Sequence, residues 1–133
     1  MSEKKKIAVI DDDEVFQLII KKQIEMKNIE CDILNFYNGQ EAIDFFKKLE
    51  TEGANGSVPD LVMLDVNMPV KDGWAFLEDY AHISDSIKSK ISLYMVTSSV
   101  IQSDIDRAEN NNDIVGFVSK PLTNERLEEI FAD

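Results

Sequence analysis

Five short apolar runs alternate with five stretches of helical periodicity along these 133 residues, and that alternation limits the fold more than any other feature of the chain. Ile7 to Ile10 is the first run; Val15, Phe16, Ile19, Ile20 and Ile24 then recur at helical spacing between lysines and glutamates. Asp32 to Phe36 gives a weaker second strand. Asn38-Gly39 turns the chain into a second helix with Ala42, Phe45, Phe46 and Leu49 on one face. Thr51 to Pro59 is small and polar and reads as a surface loop. The third run, Leu61-Val62-Met63-Leu64, is too apolar for a strand with one wet face, so it belongs in the middle of a sheet buried on both sides. Gly73 precedes a third helix carrying Leu77 and Tyr80. Ile91 to Val96 is a fourth strand, and Ile101, Ile105 and Ala108 mark a fourth helix. Phe117 and Val118 form a short fifth strand, after which Leu127, Ile130 and Phe131 mark a last helix.

A (βα)5 pattern with right-handed crossovers and helices on both faces leaves few topologies. The expectation is an α/β protein, a flavodoxin-like doubly wound parallel sheet with strand order 2-1-3-4-5, residues 1–133 forming one domain. No linker or internal repeat interrupts it. The 14 basic and 26 acidic residues give a net charge of −12, which opposes approach to nucleic acid or an anionic membrane. Neither a signal peptide nor a membrane span is present in the pattern. A single cysteine, Cys31, excludes an internal disulfide and fits a reducing, cytoplasmic setting; it reads as a small apolar residue. The chain ends two residues after Phe131, so any output is expected to pass through another protein.

In this topology Asp11, Asp12, Asp65, Thr97 and Lys120 leave the carboxyl ends of strands at one rim, where ligands of open parallel sheets bind. Three carboxylates in one place repel, and a cation relieves them. Asp11, Asp12 and Asp65 carry −3, and Mg²⁺ with Lys120 carries +3. Mg²⁺ commonly takes one or two carboxylates, waters and a phosphate oxygen, which suits a partly open rim. Phosphoryl transfer fits such a site: Asp65 is placed as nucleophile, while Lys120 and the Thr97 hydroxyl can stabilise charge on the transferred oxygens.

With an acidic pair after strand one, Asp65-x-x-Met68-Pro69-x-x-Asp72-Gly73 after strand three, Thr97 after strand four and Lys120-Pro121 after strand five, the chain resembles a receiver domain of a two-component response regulator. It is similar to the single-domain type of chemotaxis and phosphorelays, and the likeness covers nearly the whole chain. The resemblance implies that Asp65 is the phosphoacceptor, supplied by a sensor histidine kinase or a histidine phosphotransfer protein. It implies that Mg²⁺ is held by Asp12, Asp65 and the backbone carbonyl of Asn67, with Asp11 acting mainly through water. Thr97 and Phe117 would be switch residues, Phe117 lacking the hydroxyl of the usual Tyr, and Lys120 would pair with the phosphoryl group. The Lys120-Pro121 bond is often cis in the family. Asn67 and Ser99 stand where the family tunes dephosphorylation. Val15, Gln17 and Leu18 stand where kinase choice is usually set, and Val100 to Phe131 covers the reporting surface toward an unidentified downstream protein. Beyond its own phosphorylation and dephosphorylation, no enzyme activity is expected.

Two other readings stand beside this one. Asp11-Asp12-Asp13-Glu14-Val15 also fits the Asp-x-Asp-x-Val signature of haloacid-dehalogenase-like phosphatases, with Asp11 as nucleophile and Asp13 as general acid and base. A non-phosphorylated interaction module is the third. Asp13 and Glu14 read first as acids at a helix N-terminus. His82 reads as a solvated histidine, Lys71 as an exposed charge, and Trp74 as helix-packing surface near the acceptor loop.

Overall fold

The computed structural model describes residues 4–53, 57–98 and 101–132. Five parallel strands, β1 (Lys5–Ile10), β2 (Cys31–Phe36), β3 (Leu61–Leu64), β4 (Ser92–Thr97) and β5 (Ile114–Ser119), pair in the order β2-β1-β3-β4-β5. Among the described residues six helices connect or follow them: α1 (Glu14–Met26), α2 (Gly39–Glu52), α3 (Gly73–Tyr80), α4 (Asp85–Lys88), α5 (Gln102–Glu109) and α6 (Asn124–Ala132). The strand order is the expected one. One helix more than expected is present, since Asp85–Lys88 closes a single turn between α3 and β4, too short to leave a periodic signal.

Period-two alternation sorts the central strands between two cores. Ile7 and Val9 of β1 and Leu61 and Met63 of β3 pack with Phe16, Ile20 and Ile24 of α1 and Leu127 and Ile130 of α6. Ala8, Ile10, Val62 and Leu64 point the other way, onto Ile43 and Phe46 of α2 and Phe76, Leu77 and Tyr80 of α3. There Phe46, Phe76 and Tyr80 form an aromatic triangle with centroids 5.4 to 6.0 Å apart. β3 is buried at every position, in keeping with its unbroken apolar run.

Several boundaries differ from the sequence reading. Thr51 and Glu52 extend α2, and Ala54, Asn55 and Gly56 of the expected loop lie outside the described residues. β5 begins at Ile114, three residues before the expected start; Ile114 and Val115 are as apolar as Phe117 and Val118, but Gly116 interrupts the run, and on this edge strand Val115 is 58% exposed. On α1, Val15 and Ile19 are exposed, whereas Gln17 is buried on the inner face. The helix ends in a Schellman cap: Asn28 takes φ 56°, its N–H donates to the Glu25 carbonyl, and the Ile29 N–H donates to that of Ile24. Among the described residues, no helix is long and apolar enough to cross a membrane.

Candidate functional site

Register assembles the rim. Ile10 pairs with Leu64 across β1 and β3, so the next residues, Asp11 and Asp65, leave the sheet side by side, with the Asp65 N–H donating to the Ile10 carbonyl at 3.0 Å. Thr97, the last residue of β4, pairs with Ser119, and its carbonyl accepts from the Lys120 N–H at 2.9 Å. Lys120 thus rises beside the acids, ahead of a cis bond to Pro121. Its ammonium lies 2.6 Å from Asp11 Oδ2 and 3.4 Å from Asp65 Oδ2, and 4.3 Å above the Phe16 ring.

One carboxylate oxygen from each of Asp11, Asp12 and Asp65 lies within 4.8 Å of the other two. Asp11 and Asp65 are buried and Asp12 is exposed, so the cluster opens to solvent at one corner. Burial pushes the Asp11 carboxyl up, against the pull of Lys120. Burial would lower Lys120, but the carboxylates of Asp11 and Asp65 outweigh it and hold the ammonium above its ordinary range. Asp11 Oδ1 accepts from the Asp13 N–H, whereas the buried Oδ2 has the nearby ammonium but no well-directed hydrogen bond. At 2.6 Å the charge attraction decides that contact, and the direction of the N–H bonds matters less. A group of closely spaced oxygen donors with one buried oxygen incompletely satisfied fits a hard divalent cation.

Two glycines seat the loop that follows β3. A Cβ on Gly73 would meet the Asp65 carbonyl oxygen at 2.3 Å, and its N–H donates to Val66 O at 2.8 Å. A Cβ on Gly39 would meet Lys71 O at 2.5 Å. Only a residue without a side chain lets α2 and α3 begin so close to the loop. Between them Val70 takes φ 67°, and the Lys71 N–H donates to Pro69 O at 2.7 Å, closing a γ-turn. The Lys71 side chain is not the exposed charge expected: it is largely covered and ion-paired with Asp79 of α3.

The remaining residues fall as follows. Asp13 caps α1, its Oδ1 accepting from the Val15 and Phe16 N–H groups, with Glu14 in the first turn. Asn67 is exposed in the loop after β3, and His82 is exposed after α3. Phe117 is half-buried on β5, against the core and beside a cleft of about 220 Å³ shared with Ala108 and Glu109. Gln17 is not on the exposed face with Val15 and Leu18: its amide nitrogen faces the carbonyls of Val9, Asp11 and Phe36 at 2.9 to 3.1 Å, tying together the ends of β1 and β2. Ser99 and Val100 lie outside the described residues. Sequence reasoning missed the Phe16 ring beneath Lys120 and the role of Gln17. The latter had a signal, because position 17 shares a helix face with Ile20 and Ile24.

The family model of the response regulator receiver domain matches residues 7–132. A crystal structure of a two component response regulator from Cytophaga hutchinsonii superposes with a TM-score of 0.84 at 27% identity, covering 98% of this chain and 96% of that one. A response regulator receiver protein from Dyadobacter fermentans gives 0.77 at 28% identity, covering 96% and 98%. The osmosensing histidine protein kinase SLN1 of Saccharomyces cerevisiae is 30% identical over 128 residues, 96% of this chain but only 10% of that protein. Strand order, rim and family match agree, and the chain belongs to the response regulator receiver domain family.

Proposed function

We propose that this chain accepts a phosphoryl group on Asp65 from a phosphohistidine of a sensor histidine kinase or histidine phosphotransfer protein, and relays the change to a downstream protein. Receiver domains work as phosphoacceptors with an acidic metal pocket. The observation that carries the reading here is the Asp65 carboxylate at the exit of β3, within 4.8 Å of Asp11 and Asp12 and 3.4 Å from Lys120.

The Asp65 carboxylate attacks phosphorus in line as the phosphorus–nitrogen bond breaks, and the electron pair of that bond returns to the imidazole. The product is an acyl phosphate. Lys120, now shared between Asp11 and Asp65, is placed to turn toward the new oxygens, and Thr97 supplies a hydroxyl from the end of β4. Asp11, Asp12 and Asp65 with the Asn67 carbonyl would hold Mg²⁺, which when bound neutralises the charge gathered on the transferred group. The chain turns over no separate substrate in this reading, and its setting is cytoplasmic.

The phosphatase assignment to Asp11 is disfavoured by geometry. Its required acid, Asp13, is engaged in capping α1, and Asp11 itself is 1% exposed beneath the Lys120 ammonium. Acetyl phosphate with Mg²⁺ followed by borohydride trapping separates the two: the reduced residue is expected at position 65, and Asp65→Asn should take up no label. Reduction at Asp11, or labelling of the Asn variant, would sink the assignment.

A further inference from the structure

Trp74, the single tryptophan of the chain, reaches from the loop after β3 to α5. It follows Gly73, the residue seated on the Asp65 carbonyl, and it is only 8% exposed. Its indole Nε1 donates to Asp104 Oδ1 at 3.2 Å, and the Arg107 guanidinium lies 4.4 Å from the ring centroid. Asp104 and Arg107 are three apart on α5, so one face of that helix holds the indole edge and face together. Of the α5 side chains only Ala108 is fully buried, and the N-cap, Ile101, offers no side-chain hydrogen bond. A helix of eight residues with so little buried surface takes its position from the contacts made to it.

We propose that Trp74 is the tether that seats α5 against the acceptor loop, so that the state of Asp65 is read at α5 through one indole ring. The coupling rests on the phosphoacceptor reading of Asp65. The backbone path is short, since Asp65 O and Val66 O contact Gly73 directly and Trp74 is the next residue. A shift of the loop on phosphorylation therefore moves the indole relative to Asp104 and Arg107. Trp74 touches no reacting atom and acts as a positioning residue. The bistable element it biases is α5, seated on the indole or displaced from it.

The test is amide hydrogen exchange of α5 on the full chain, free and with beryllofluoride plus Mg²⁺, alongside the fluorine signal of the bound fluoride. Wild type, Trp74→Phe and Asp104→Ala are compared; Phe keeps most of the ring packing and removes the indole N–H, and Ala removes the carboxylate that accepts it. In the free variants, exchange across 102–109 should rise about tenfold, the loss expected for one hydrogen bond to a charged group, with β3 and β4 unchanged. Both variants should still show bound fluoride, while the α5 response seen in wild type is lost. Bound fluoride with a wild-type α5 response in both variants overturns the tether and leaves the phosphoacceptor reading intact. A wild type that binds no beryllofluoride overturns that reading and the coupling with it.

Discussion

Asp11 and Asp65 leave neighbouring strands side by side, yet their carboxylates hold different partners. Asp11 is committed to the Asp13 N–H and to Lys120 at 2.6 Å, while Asp65 holds its own loop through the Val66 N–H and meets Lys120 at 3.4 Å. The acid with the looser hold on the cation is the one proposed to react. A few residues away, Val70 stores strain: a β-branched side chain at φ 67° is a poor occupant of the left-handed region. Relief of about 1–3 kcal/mol of strain, less the extra entropy glycine loses on folding, leaves Val70→Gly about 1 kcal/mol more stable. Denaturant midpoints at unchanged slope would show it. An unchanged or lower midpoint would mean that the surrounding loop has already absorbed the strain. Position 70 is 83% exposed, so lost packing does not obscure the comparison.

At the scale of elements, the loop after β3 is defined by what α2 and α3 press against it. Gly73→Ala places a methyl 2.3 Å from a backbone oxygen that cannot swing away, so α3 must retreat or the loop must move. The expected cost is about 1–3 kcal/mol, together with slower phosphorylation by acetyl phosphate. Full activity and stability in this variant would show the contact to be freely adjustable. The same scale shows what could be read without coordinates. Strong runs such as Leu61-Val62-Met63-Leu64 announce their place, because burial on both faces demands unbroken apolar character. Weak ones do not: the β5 run is interrupted by Gly116, and α4 is one turn long. On α1 the chemistry of single residues misled. Val15 and Ile19 are apolar but 64% and 49% exposed, whereas polar Gln17 is buried because three strand-end carbonyls satisfy its amide. The grouping of Asp11, Asp12, Asp65 and Lys120 was legible because strand order and register place strand ends mechanically. The Phe16 ring under Lys120 and the indole link to α5 depend on side-chain directions that spacing does not encode.

Across the whole molecule, a chain with net charge −12 concentrates three acids at one rim and offsets them with one lysine. Added Mg²⁺ should therefore raise stability, by about 2.7 kcal/mol at a concentration near 100 times its dissociation constant. Lys120→Met should be less stable than wild type in chelator, since two buried carboxylates lose their counter-charge, and should show the larger gain on adding Mg²⁺. Thermal melts of both proteins with and without the metal check this. Equal gains in the two would show that Lys120 and the cation do not share the acids. The order of the strands carries one more consequence. The pocket draws on the ends of β1 and β3 and on the residue just past β5, so no early fragment of the chain contains it. On a ribosome, the acids would emerge long before the lysine that steadies them. On the phosphoacceptor reading, competence to receive a signal arrives with the last strand, and a half-made chain stays silent.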